Sequence, residues 1–161
     1  TNLKKALDTF EITNVDVGDD SNLKDKYEEC DYLNYVVKES LRIDPPAMIG
    51  VAYIAKSNIN MCGVPISKGS ILAVNSLFPH YNPEHWQKPR EFIPERFDPE
   101  SDYYFKPGGK QEMRNPKSYV PFSFGLRNCA GQTLAKVESK VILSRIIYIL
   151  DYSVCPSQLE S

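Results

Sequence analysis

Phe122-Ser123-Phe124-Gly125-Leu126-Arg127-Asn128-Cys129-Ala130-Gly131 sets one cysteine between two glycines, just ahead of a long helical pattern. The spacing predicts a helix from near Gly131 through Gln132-Thr133-Leu134-Ala135-Lys136-Val137-Glu138 toward Leu150. Its unpaired N–H groups and positive dipole end would point back at the sulfur. Both effects favour thiolate over thiol, and thiolate is the form that ligates metal. Gly125 and Gly131 permit backbone turns or the close approach of a flat ligand. Arg127, two residues before the cysteine, can offer its planar fork to an anionic group. Phe122 supplies an aromatic face that can shield the sulfur from water. A lone cysteine in an apolar segment is also what a small buried hydrophobe looks like. The combination with Arg127 and the two glycines favours the ligand reading, which makes Cys129 the candidate iron ligand.

Two upstream segments belong to the same reading. Leu33, Val36, Val37, Ser40 and Leu41 recur at helical spacing, and Asp44-Pro45-Pro46 stops that helix because a residue before proline avoids the α region. Glu39 and Arg42 are one i, i+3 step apart on it, an arrangement that as a solvated surface pair contributes only about 0.2–0.5 kcal/mol. Farther on, Phe92-Ile93-Pro94-Glu95-Arg96-Phe97 brings a second arginine.

The cysteine segment closely resembles the heme-thiolate signature FxxGxRxCxG of the cytochrome P-450 superfamily, with Phe122, Gly125, Arg127, Cys129 and Gly131 in register. Glu39-Ser40-Leu41-Arg42 resembles its ExxR motif and Pro94-Glu95-Arg96-Phe97 its PERF segment. The resemblance implies heme b as cofactor, held by these five loop residues, with Cys129 as axial iron ligand and Arg127 on a propionate. Thiolate ligation pushes electron density onto iron and favours O–O cleavage. It further implies that Glu39, Arg42 and Arg96 form a buried structural triad that does not touch substrate.

The implied fold is mainly α with small β-sheets, an incomplete carboxy-terminal part of the family fold. Residues 1–161 are expected as a single partial domain. Residues 1–30 read as the end of a preceding helix, over Leu3 to Phe10, and a polar loop. Residues 31–43 form the ExxR helix and 47–76 a small sheet. That sheet includes apolar runs Ile49–Ala55 and Ile71–Val74 and a hairpin within Asn58–Gly69. In the family, residues after the ExxR helix, here about Ala47 to Val51, line the substrate cavity. Residues 79–117 form a proline-rich meander, 120–131 the cysteine loop and 131–150 the last helix. Val141–Leu150 reads as a buried core helix, too short for the ~20 residues that span a bilayer.

His80 and His85 are the chain's two histidines. No cysteine pair or second acidic cluster surrounds them at metal-site spacing, so they read as loop or capping residues. Residues 100–117 read as a polar surface loop with Lys106, Lys110, Arg114 and Lys117. Leading into the cysteine loop, it lies where the family docks its electron donor, and its charges could steer an acidic partner.

A net charge of −2, with basic residues scattered among acids, argues against nucleic-acid binding. Cys30, Cys62, Cys129 and Cys155 form no CxxC pair, which favours a reducing compartment. The expected parent activity is monooxygenation, inserting one oxygen atom from O2 into a small apolar organic substrate. Electrons would come from NADPH through a flavoprotein reductase, or from an iron–sulfur protein. The PERF segment, and arginine rather than histidine before the cysteine, suggest a membrane-anchored parent at the endoplasmic reticulum, facing cytosol. A heme-thiolate isomerase, dehydratase or peroxygenase would carry the same motifs, and a truncated non-catalytic interaction fragment is a third reading. The stretch lacks the family's distal helix, so no catalytic residue is expected within it and it should not catalyse alone.

Overall fold

The computed structural model describes residues 2–9, 27, 29–109 and 111–150. Lys110 and Cys155 lie outside the described residues. The chain divides into two compact units, residues 1–37 with 130–161, and residues 38–129.

In the first unit, α1 (Asn2–Thr9) buries Leu3 and Leu7. These meet Tyr27, Cys30, Leu33 and Val36, and Val141, Leu143 and Ile147 pack against the cluster from α4 (Gln132–Ile149). Leu33 and Val36 come from α2 (Asp31–Ile43), whose first turn carries Asp31 and whose last carries Arg42, both favourable to the helix dipole. Burial raises the Cys30 thiol pKa, so this sulfur behaves as a small apolar filler.

The last helix differs from its expected burial. Lys140 and Ser144 are its buried residues, while Ile142, Ile146, Tyr148 and Ile149 are exposed. The helix is apolar on more than one face, and the small cluster of this unit covers only one of them. Among the described residues no helix is long and apolar enough to cross a membrane.

The second unit opens with two small antiparallel sheets. β1 (Tyr53–Ile54) pairs with β4 (Ile71–Leu72), Tyr53 opposite Leu72 and Ile54 opposite Ile71. β2 (Ile59–Met61) pairs with β3 (Val64–Ile66), Met61 opposite Val64. The connecting pair Cys62-Gly63 has φ of 51° and 85°, both left-handed, which is what a two-residue hairpin loop requires. The strands are shorter than the apolar runs suggest. Beyond β1 and β4 the pairing continues only as an isolated bridge, Ile49 to Asn75, and single bonds such as Gly50 N–H to the Val74 carbonyl (2.9 Å).

A short α3 (Leu77–Tyr81) follows, its first amides Leu77 and Phe78 donating to Asn75 Oδ1 at 2.9 and 3.1 Å. The proline-rich stretch is then built of single 3-10 turns, Pro94–Phe97, Asp102–Tyr104 and Pro116–Ser118. Proline fixes φ for such turns and withholds the N–H that a longer helix needs. Trp86, 1% exposed, anchors the stretch: its Nε1–H donates to the Pro79 carbonyl at 2.9 Å, and its ring meets Phe97 and Tyr119. Mixed helix with small antiparallel sheets is therefore the architecture, in agreement with the expected class.

Candidate functional site

Glu39 and Arg42 stand one turn apart on α2, and the turn Pro94–Phe97 delivers Arg96 to the same place. All three side chains are fully buried. Arg42 Nε donates to Glu39 Oε2 and Arg42 Nη2 to Glu39 Oε1, both at 2.8 Å, a two-pronged pair. Arg96 Nε reaches Oε1 at 3.1 Å, and the Ile93 amide reaches it at 2.9 Å. Four N–H groups thus converge on one carboxylate.

The guanidiniums spend their other donors on main-chain carbonyls. Arg42 donates to His80 (2.8 Å), Pro89 (2.7 Å) and Glu91 (3.2 Å). Arg96 donates to Gln87, to Lys88 at 2.6 Å and to Glu91 at 3.2 Å. The cluster therefore organises the whole stretch 80–97, whose irregular backbone cannot pair its carbonyls in a sheet or helix.

Arg114 departs from its expected place on a solvated basic loop. Its guanidinium lies 4.4 Å over the Trp86 ring, with Tyr104 and Phe97 at 5.5 and 5.9 Å, and donates to the Tyr103 and Arg96 carbonyls at 2.8 and 2.7 Å. Burial lowers its pKa to about 10, helped by neighbouring Arg96, so it remains charged at neutral pH. The flat guanidinium fills an aromatic slot that the sequence pattern disguised as surface charge. Lys106 is paired with Glu112. Of the basic residues expected on this loop, Lys117 alone stands exposed without an acidic partner among the described residues, its Nζ 5.2 Å over Phe124.

His80 is likewise no loop or capping residue but fully buried. Nδ1 lies 3.1 Å from the Arg42 carbonyl and Nε2 accepts the Val120 amide at 2.8 Å. The carbonyl can only accept, so the proton sits on Nδ1. Burial pushes the imidazole down to about 4, which keeps it neutral. The Tyr119 ring stacks on it at 5.6 Å and its hydroxyl donates to the Lys38 carbonyl at 3.1 Å. Burial pushes the Tyr119 phenol upward in pKa. Sequence spacing held no sign of this histidine's role. Position alone, between α2 and the cysteine loop, could have marked it.

Val120 opens the cysteine loop. Ser123 N–H donates to the Val120 carbonyl (3.1 Å), Asn128 N–H to Gly125 (3.2 Å), and Cys129 N–H to Phe122 (3.0 Å), which closes residues 122–129 into a ring. Gly125 has φ +87°, and a Cβ built there meets nothing within 4 Å, so its glycine answers backbone conformation and not protein packing. Ser123 is left-handed as well, at φ +66°. Phe122 is half-buried, whereas Arg127 and the free Cys129 are exposed beside Phe124 and Leu126. Gly131, in the other unit, precedes α4 with φ −85°, a conformation open to any residue. The second unit thus gathers Glu39, Arg42 and Arg96 at one place and Phe122, Gly125, Arg127 and Cys129 on one loop.

A family model described as cytochrome P-450 matches residues 9–160. Cytochrome P-450 4F2 of Homo sapiens is 35% identical over 129 residues, 80% of this chain and 23% of that protein. Cytochrome P-450 3A2 of Rattus norvegicus is 33% identical over 129 residues, 79% of this chain and 23% of that protein. Cytochrome P-450 monooxygenase tpeC of Talaromyces stipitatus is 34% identical over 131 residues, 81% of this chain and 24% of that protein. The chain spans about a quarter of the length of these curated relatives.

Proposed function

Because the chain belongs to the cytochrome P-450 family, we propose that it is the heme-binding portion of a monooxygenase that inserts one oxygen atom from O2 into an apolar organic substrate. The observation that carries this reading is the exposed Cys129 sulfur on a ring closed by the Cys129–Phe122 backbone bond. Among the described residues no three His, Cys, Asp or Glu side chains converge on a metal position. Cys129, whose sulfur is free and exposed, would be the residue that ligates the heme iron. The donor set fits heme b for two further reasons: a guanidinium is exposed for an anionic rim, and Phe124 and Leu126 offer apolar surface to a flat ring.

In this reading Cys129 would ligate the iron, Arg127 would pair with a propionate and Phe122 would limit water at the sulfur. Gly125, where a Cβ would meet no protein atom, leaves room at the ring's edge. The bound heme supplies the oxidation chemistry, tuned by thiolate ligation. The chain's own contribution is to hold the sulfur at one position and keep its surroundings dry. Glu39, Arg42 and Arg96 fix the stretch 80–97 and take no part in the reaction. Electrons from NADPH arrive through a flavoprotein reductase or an iron–sulfur protein, with Lys117 as the exposed cation just ahead of the loop. The parent protein is anchored in the endoplasmic reticulum membrane, facing cytosol. The test is substrate-dependent O2 and NADPH consumption by the intact protein with a reductase, compared with Cys129→Ser. Loss in the variant is expected, and equal turnover would overturn the reading.

A further inference from the structure

We infer that His80 is a positioning residue that ties the cysteine loop to the buried Glu39–Arg42–Arg96 cluster. Arg42 and His80 are joined twice. The Arg42 guanidinium donates to the His80 carbonyl at 2.8 Å, and His80 Nδ1 returns a bond to the Arg42 carbonyl at 3.1 Å. The Arg42 carbonyl is at the carboxy-terminal end of α2, where a helix leaves its last acceptors unpaired. His80 meets one of them from outside the helix, and with its second nitrogen takes the Val120 amide at 2.8 Å.

Val120 is followed by Pro121, which has no amide to offer, and then by the ring 122–129. The Val120 carbonyl accepts from Ser123, and the Phe122 carbonyl accepts from Cys129. One hydrogen-bonded route therefore leads from the Glu39 carboxylate through Arg42 and His80 to Val120, two residues before Phe122, whose carbonyl holds the cysteine's own amide. The imidazole is fully buried, and stacking of Tyr119 on its face fixes its plane. A neutral ring with one donor and one acceptor suits both partners; no aliphatic side chain could serve either.

That this placement matters for iron rests on the reading of Cys129 as its ligand, but the placement itself is testable without iron chemistry. The measurement is amide hydrogen exchange in the intact protein at Val120, Cys129 and Ile93, whose amide is held by Glu39 and reports on the cluster itself. His80→Phe keeps a ring and removes both imidazole bonds, while the main-chain carbonyl that Arg42 holds remains. Val120 exchange should quicken about tenfold, the loss of one hydrogen bond, and Cys129 should follow. Ile93 should change by less than about threefold. His80→Gln presents a donor and an acceptor at similar reach and should restore protection at Val120. Should His80→Phe not accumulate folded, His80→Asn replaces it, too short to span both partners, with the same expected loss at Val120. Equal loss at Val120 and Ile93 would reduce His80 to general packing and overturn the inference, as would unchanged exchange at Val120. Failure of His80→Gln to fold or to protect Val120 would overturn it too. A Cys129 that proves not to bind iron leaves these exchange results intact, so the two failures are distinguishable.

Discussion

Replacing Glu39 with glutamine tests how the buried cluster works, because the change keeps shape and removes charge. The carboxylate receives four N–H donors between 2.8 and 3.1 Å, three on Oε1 and one on Oε2. Glutamine can keep its carbonyl at the Oε1 position, but its new NH2 group then faces Arg42 Nε, donor against donor. Two fully buried guanidiniums lose their anion at the same time. Removing one partner of a buried pair costs about 3–5 kcal/mol. With a urea slope of about 3 kcal/mol per molar, the unfolding midpoint should fall by about 1–1.7 M. Lys88 and Glu91 provide the control, an i, i+3 pair at 3.3 Å with both side chains more than half exposed. Glu91→Gln should leave the midpoint within the scatter of repeated wild-type measurements, since solvent screens so exposed a pair. The assay is equilibrium urea denaturation of the intact protein, followed by circular dichroism. A Glu39→Gln midpoint within that control range would refute burial as the source of the cluster's strength.

Arg96→Met removes one guanidinium but leaves Glu39 its two bonds from Arg42, and strands the Gln87 and Lys88 carbonyls. It should destabilise by about 2–4 kcal/mol, lowering soluble yield, while absorption spectra of the surviving heme protein keep the wild-type ligand type. For pH, burial lowers the folded His80 pKa from 6.5 to about 4, so between these values the unfolded chain binds more protons. Its contribution is complete above pH 6.5 and is lost as pH falls toward 4, amounting to about 3 kcal/mol. Urea midpoints across that window should show a slope that flattens in His80→Gln. Gly125→Ala puts a side chain at φ +87°, where L residues are strained by about 1–2 kcal/mol, although no protein atom obstructs it. Thermal unfolding should shift by that amount and heme retention should drop.

The helix over Asp31–Ile43 was legible because its apolar spacing and its Asp44-Pro45-Pro46 stop are local signals. The cysteine ring was legible in part: Gly125 needs the conformation it has, whereas Gly131 sits at an ordinary φ. Pairing of Glu39 with Arg42 followed from i, i+3 geometry, whereas its burial was implied by the ExxR resemblance alone, since the same spacing describes the exposed Lys88–Glu91 pair. Arg114 and His80 were misread for one reason. A polar side chain in a proline-rich stretch looks solvated until distant partners are known, here the Trp86 ring for one and Val120, 40 residues away, for the other. The last helix was overread, because its apolar residues outnumber what the small cluster around Leu7 and Cys30 can cover.

The ferrous carbon-monoxide difference spectrum of the intact protein, wild type beside Cys129→Ser, tests the assignment of Cys129 most directly. The wild type should show the red-shifted band of thiolate ligation and the variant should lack it. Identical spectra from the two proteins, or heme bound by neither, would contradict it.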